Sequence, residues 1–173
     1  MGRRARIFLL AGLSLCAPLY ASEQLDEEAV KAATLFNVAL FVDWPIGATK
    51  EPFVIGVAVD DVLAAAVANV TRGRRLHDRE IRVHRLGRGD ENCDCQILFV
   101  GLKEDGRSRT LLRSVRGNPV LTIGETTAFL REGGVVRIFR DHDRLRLQIN
   151  SRAATDAGLQ ISSRLQQLAA KTP

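Results

Sequence analysis

Nothing in this sequence assembles a catalytic site. It has no G-x-S-x-G elbow, no phosphate loop and no G-x-G-x-x-G opening a helix after a strand. Gly87-Arg88-Gly89-Asp90 lacks the third glycine and leads into Cys93 instead of a helix. Without a nucleophile–base arrangement, no enzymatic activity and no cofactor are expected. Histidine is scarce as well. His77, His84 and His142 show no ligand spacing with the cysteines, and a zinc site needs about four ligands, so no metal is expected. Aromatic residues make up 5% of the chain, and none interrupts the basic run of Arg72, Arg74, Arg75, Arg79, Arg82, Arg85 and Arg88. That excludes the stacked-base mode of nucleic-acid binding. Asp78, Glu80 and Asp90 break the run, which reads as a solvated face or as a surface for an anionic ligand or acidic partner. Repeats, linkers and low-complexity segments are absent, so the 173 residues suit one domain with a sizeable core.

Arg3, Arg4 and Arg6 precede an apolar run from Ile7 to Leu19, and Leu19-Tyr20-Ala21 offers a cleavage site before Ser22. The run is too short to span a membrane, so residues 1–21 read as a secretory signal peptide and residues 22–173 as the mature domain. Cys16 follows the large Leu15 where a lipobox wants a small residue, which argues against lipidation. The leader carries three arginines and no acids, so removing it leaves 22 basic against 20 acidic residues, +2 instead of +5. A nucleic-acid partner thereby loses its main support. Only Cys93 and Cys95 remain, in an oxidising compartment. They read as a redox-responsive pair or as free or structural thiols at the mouth of a strand.

The stretch Ala29–Pro45 organises the mature chain. Val30, Ala33, Phe36 and Leu40, with Ala32, Leu35, Ala39 and Val42, recur at helical spacing and predict a helix running to the Trp44-Pro45 step. Phe53–Val59 is an apolar run that suits a strand buried on both faces. Asp60 or Asp61 caps a helix ending near Gly73, Ile81 and Val83 mark a half-exposed strand, and Gln96–Val100 marks another buried one. A helix from about Lys103 to Val115 leads to the strand Val120–Ile123 and a short helix over Glu125–Leu130. Val136 and Ile138, then Leu145, Leu147 and Ile149, alternate across Asp141-His142-Asp143 as an antiparallel hairpin. His142 between two aspartates imitates a proton shuttle, but the same residues make an ordinary polar hairpin tip. Ser151 is placed as the cap of a short helix, and Ser162 as the cap of the last one, which carries Leu165 and Leu168. The order predicts an α/β fold, one domain with a mixed, mostly parallel sheet flanked by helices and an antiparallel hairpin at one edge near the C-terminus.

Two functional patches stand out. The helix end at Phe41 and Trp44, with Leu165 and Leu168, is the candidate partner surface. Arg144, Arg146, Gln148 and Asn150 share one side of the last hairpin strand and, with Trp44, could border a small polar pocket. Edge-strand protection by arginine is the competing reading.

KAATLFNVALFVDWP, FVIGV, CQILFVG, NPVLTIGE and INSRAATDAGLQISSRLQQLA occur in this order between about Val30 and Ala169. The ordered set resembles the YfiR family of small exported α/β proteins. The resemblance implies a periplasmic regulator that binds the periplasmic domain of an inner-membrane diguanylate cyclase and lowers cyclic di-GMP output. It also implies small ligands in a surface pocket, a neighbourhood that here offers Asp43, Trp44, Gln148, Asn150, Gln160 and Ser162. Cys95 occupies the family position at the start of its strand, while Gly56 stands near the place of the expected partner, leaving Cys93 available for that role. A second expected pair is absent between Thr126 and Arg137. The expected partner is a diguanylate cyclase or another sensor protein such as a kinase, with a homodimer as a further arrangement. The alternative function is a periplasmic small-molecule binding module.

Overall fold

The structure, a computed structural model, describes residues 17–169 apart from 59, 103, 104 and 143. Most of the expected leader, Cys16, Val59, Lys103 and Asp143 lie outside the described residues.

Helix α1 spans Ala17–Ala39. It ends well before the Trp44-Pro45 step, which corrects the expected boundary. The chain turns at Leu40 and Phe41, whose amides reach back to the Phe36 and Val38 carbonyls. Val42–Asp43 then becomes strand β1. Its partner is β9, Gln160–Ile161, in an antiparallel pair that joins Val42 to Ile161 and Asp43 to Gln160. Apolar residues at helical spacing here run on into a strand, and only the long-range pairing ends the helix.

The remaining strands are β2 (Phe53–Ala58), β3 (Arg75–Leu76), β4 (Arg79–Leu86), β5 (Ile97–Val100), β6 (Leu121–Gly124), β7 (Val136–Asp141) and β8 (Arg144–Ile149). They form one seven-stranded sheet in the order β3-β4-β2-β5-β6-β7-β8. The four inner pairings are parallel, while β3–β4 and β7–β8 at the edges are antiparallel. The fold is therefore the mixed α/β domain that the element order predicts.

Alternation along the buried strands splits the core in two. Phe53, Ile55, Val57, Ile97, Phe99, Leu121 and Ile123 pack with Leu35, Phe36 and Val38 of α1 and with α2, Asp61–Thr71. On the opposite face, Ala58, Leu98 and Val100 meet Leu111 and Leu112 of α3 (Asp105–Ser114) and Phe129 of α4 (Thr127–Arg131). Asp60 caps α2 by accepting from the Leu63 amide at 2.9 Å. The short helix α5 spans Ser151–Asp156, and its cap is Asn150, whose Oδ1 accepts from the Ala153 amide at 3.0 Å. Ser151 is thus the first helical residue and not the cap. Ser162 does cap α6, Ser163–Leu168, through the Leu165 amide.

Candidate functional site

The β1–β9 pair leads the polypeptide into the turn at Trp44-Pro45. The Trp44 indole stands edge-on to Phe53, with ring centres 5.2 Å apart, and lies 5.3 Å from the His77 ring. Phe53 is fully buried, so this contact anchors the corner on the core. Trp44 Nε1 is buried and has no hydrogen-bond partner among the described residues. A buried donor left unpaired costs about 1–3 kcal/mol, which calls for an explanation.

A cavity of about 320 Å³ opens beside it, lined by Asp43, Trp44, Pro45, Ile46, Gly158 and Gln160. Gly158 adopts the left-handed conformation at φ 71°, and a Cβ there would lie 3.4 Å from the Pro45 ring. That glycine lets the end of α5 close against the turn after β1. Ile46 in this turn is fully exposed.

The predicted ligand residues therefore separate. Asp43, Trp44 and Gln160 meet at one cavity, brought together by the β1–β9 register. Gln148 accepts from Arg137 Nη1 at 2.9 Å, and Asn150 is occupied as the α5 cap and by a bond to the Leu130 carbonyl. Ser162 spends its hydroxyl on capping α6. None of these three lines the cavity, because each is committed to a local backbone or strand partner.

The predicted partner residues separate as well. Phe41 and Trp44 are half-buried against the main core, and Arg164 lies over the Phe41 ring at 5.8 Å. The Ser162 amide donates to the Phe41 carbonyl at 3.0 Å, which ties the start of α6 to this corner. Leu165 is only 3% exposed and belongs to the core, whereas Leu168, one turn on, is 64% exposed. Leu165 cannot touch a partner in this fold.

Cys93 and Cys95 are joined by a disulfide. It rests on β2 at Gly56, where an added Cβ would come within 2.5 Å of Cys93 Sγ and 3.2 Å of Cys95 Sγ. A glycine in the middle of this buried strand is explained by that close approach. His142 sits at the exposed hairpin tip with its Nδ1 3.0 Å from Asp141 Oδ1, so it has no enclosed site in which to shuttle a proton.

Sequence reasoning missed a second polar cluster at the carboxyl ends of β5 and β6. Lys31 of α1 is buried, with its Nζ 2.9 Å from Glu125, 3.1 Å from Glu28 and 3.2 Å from Glu27. Glu125 also accepts from the Leu102 amide at 2.8 Å. Burial alone would lower the Lys31 ammonium, but hydrogen bonds and charge from Glu125 and then Glu28 outweigh it and hold the lysine above its ordinary range. Burial raises the Glu28 carboxyl, against the lowering effect of Lys31, and its Oε2 is buried without a partner. The signal was present in the Glu27-Glu28-x-x-Lys31 spacing, but an i,i+3 and i,i+4 set on a helix ordinarily reads as a surface ladder.

Among the described residues no helix is long and apolar enough to cross a membrane, and no group of acids, histidines and cysteines is arranged to hold a metal ion. Comparison with solved structures finds a conserved domain protein from Vibrio cholerae, at TM-score 0.52 and 11% identity, covering 84% of this chain and 60% of that one. The ABC domain of a Streptococcus pneumonia protein, in complex with L-Trp, matches at TM-score 0.52 and 11% identity, covering 69% of this chain and 56% of that one. The chain thus spans less than two thirds of either structure, and at this identity the likeness concerns the fold alone. No curated protein sequence matches. The family model described as DUF4154, YfiR/HmsC-like, matches residues 28–170, so the chain belongs to that family, whose members are periplasmic and regulatory rather than catalytic.

Proposed function

We propose that this protein, exported by the leader at residues 1–21, restrains an inner-membrane diguanylate cyclase by docking on the cyclase's periplasmic domain. Family membership supports the class of partner. The observation that carries the docking surface is the β1–β9 corner, where fully exposed Ile46 adjoins Trp44. Phe41 and the exposed Leu168 of α6 extend it on the side tied together by the Ser162–Phe41 bond. A few exposed apolar side chains of this kind offer anchors that lose water on docking. Restraint then follows from population shift, because the protein holds the cyclase inactive only by binding its inactive conformation more tightly. The test is photo-crosslinking in the envelope from a reactive amino acid placed at Ile46 or Leu168, read by mass spectrometry. Capture of one membrane protein with a periplasmic sensor domain and a cyclase domain is the expected result. A captured kinase would keep the regulator and change its output, and capture from neither position would remove this corner as the docking surface.

A second reading is favoured by one observation. The cavity lined by Asp43, Trp44 and Gln160 sets two polar side chains beside an aromatic wall. A small polar molecule seated there would tune docking through its differential affinity for the free and docked forms. A saturable thermal shift with a metabolite, lost in Gln160→Ala, would support it.

A further inference from the structure

Strand β4 leaves most of its outer edge open. It runs for eight residues, Arg79–Leu86, yet β3 pairs only with Arg79 and Glu80. The hairpin turn fixes which backbone groups face outward. His77 and Asp78 both have positive φ, as in a two-residue type I′ turn, so Leu76 and Arg79 face each other as a hydrogen-bonded pair. Arg79 therefore turns its amide and carbonyl toward β3, and by alternation Ile81, Val83 and Arg85 turn theirs the same way. Glu80 turns the other way, and its amide donates to Glu51 Oε1 at 2.9 Å, just ahead of β2. Beyond β3, the outward amides and carbonyls of Ile81, Val83 and Arg85 have no partner among the described residues.

A groove of about 360 Å³ lies beside this edge, between β4 and the end of α2. Ala68, Ile81 and Val83 give it apolar surface, while Arg72, Arg74 and Arg75 give it positive charge against Glu80 as its single acid. Arg72 donates to Asn69 Oδ1, Arg75 donates to the Asp78 carbonyl, and Arg74 lies 5.1 Å from the centre of the Phe36 ring. None of the three is paired with a carboxylate among the described residues. Ile81 and Val83 pack toward the α1–α2 core, so Arg82 and His84 point to the opposite face, where both are exposed. The open ladder thus carries uncompensated positive charge on both of its faces.

Charge decides what fits. A second copy added edge to edge would bring these arginines against their own equivalents, and like charges across a ladder destabilise it. An acidic strand meets the reverse situation. Its backbone completes the ladder, its acids on one face meet Arg82 and His84, and β-branched residues on the other lie along Ile81 and Val83. An acid at its end reaches the arginines of the groove. We propose that the open edge of β4 binds an extended acidic segment of another protein by strand addition. This requires only β4 and its groove, and so stands independently of the cyclase and of the β1–β9 corner.

Fluorescence anisotropy of the purified mature protein with a labelled Glu-Val-Glu-Val-Glu-Val-Glu peptide tests this. One control peptide has lysine for every glutamate, and another is methylated at each amide nitrogen, which keeps the charge and removes the donors. At an ionic strength of about 0.15 M, the glutamate peptide should bind saturably and about tenfold tighter than either control. In hydrogen exchange it should slow the amides of Ile81, Val83 and Arg85 more than those of Arg82 and His84, which already face β2. Arg82→Glu, a change at an exposed side chain, should weaken binding by about tenfold. Val83→Pro deletes one outward donor and should weaken it as well, with the melting temperature identifying any loss of fold. The proposal is overturned by an absence of saturable binding, by either control binding as tightly, or by slowed exchange that spares the three outward amides. A dimer of the protein alone that Val83→Pro dissociates would seat a second copy there instead. Binding to phosphatidylglycerol vesicles without binding to the peptide would assign the arginines to a lipid surface.

Discussion

The carboxyl ends of β5 and β6 and the corner at β1–β9 both place polar groups in closed surroundings, and they resolve the cost of burial in opposite ways. At the first, Lys31 gathers three carboxylates within 3.2 Å, and Glu125 adds a backbone amide of the loop after β5. Almost every donor and acceptor there is used, which marks the cluster as a lock fixing α1 across the sheet. At the second, a buried indole N–H goes unpaired beside a cavity while an isoleucine stands fully in solvent. The two regions therefore differ in how fully their buried polar groups are paired.

The largest effect is expected where the lock is broken. Lys31→Met removes the cation shared by Glu28 and Glu125 and leaves these two buried carboxylates without it, while Glu27 keeps Arg140. Losing one side of a buried ion pair costs about 3–5 kcal/mol, and urea unfolding would measure it. A loss below about 1 kcal/mol would mean that the carboxylates find water and that the cluster is a surface ladder after all.

Two leucines one turn apart on α6 sharpen the comparison within a single helix. Leu165→Ala should cost about 2–5 kcal/mol by opening a hole in the main core. Leu168→Ala should change stability by about 0.5 kcal/mol or less, yet weaken capture of the membrane partner. If the two variants lose stability equally, α6 is packed as a whole and offers no docking face.

The sequence made the sheet legible because its buried strands are short apolar runs bounded by turn residues. Phe53–Ala58, Ile97–Val100 and Leu121–Gly124 lie inside or within a residue of the expected segments, and the parallel order follows from the helices between them. The end of α1 was not legible. Val42 and Asp43 continue a helical pattern, and they leave it only because Gln160–Ile161, more than a hundred residues on, offers a ladder. Strand β3 was hidden for a related reason. The turn joining it to β4 is made by His77 and Asp78 at φ 50° and 61°, in place of the glycine or asparagine that announces such hairpins. The same two facts explain the site. Trp44 and Gln160 come together through the unforeseen pair, and His77 reaches the indole from the unforeseen hairpin. Gln148 and Asn150 share the expected face of β8, but that face is spent on Arg137 and on the cap of α5.

A smaller effect would separate the indole's packing from its donor. Trp44→Phe keeps an aromatic ring against Phe53 and deletes the unpaired N–H. Relief of a buried donor, about 1–3 kcal/mol, should offset the lost ring area, so the melting temperature should stay close to that of the parent. A variant that melts far lower would show instead that the N–H is satisfied by water in solution.

The smallest effect concerns the one imperfection of the lock. Glu28 uses Oε1 on Lys31 and leaves Oε2 buried and unpaired, and burial raises its carboxyl above the ordinary value, with the charges of Asp60 and Glu125 adding to the rise. A raised carboxyl stabilises the fold when it holds its proton. That contribution is complete below the unfolded value and is lost as pH climbs through the folded one. Lys31, raised in turn, keeps its charge throughout this interval and sheds its contribution only in strong alkali. The Glu28 carboxyl thus takes up its proton at a higher pH than an ordinary glutamate, with Glu27, Glu125, Asp60 and Arg140 as the surrounding charged groups. Glu28→Gln cannot titrate, yet its amide oxygen can still accept from Lys31. The difference in melting temperature between Glu28→Gln and the parent should therefore grow in favour of the variant as pH rises from mild acid to neutrality. A difference that stays flat with pH would place Oε2 in contact with water, and would return that end of α1 to the solvated surface.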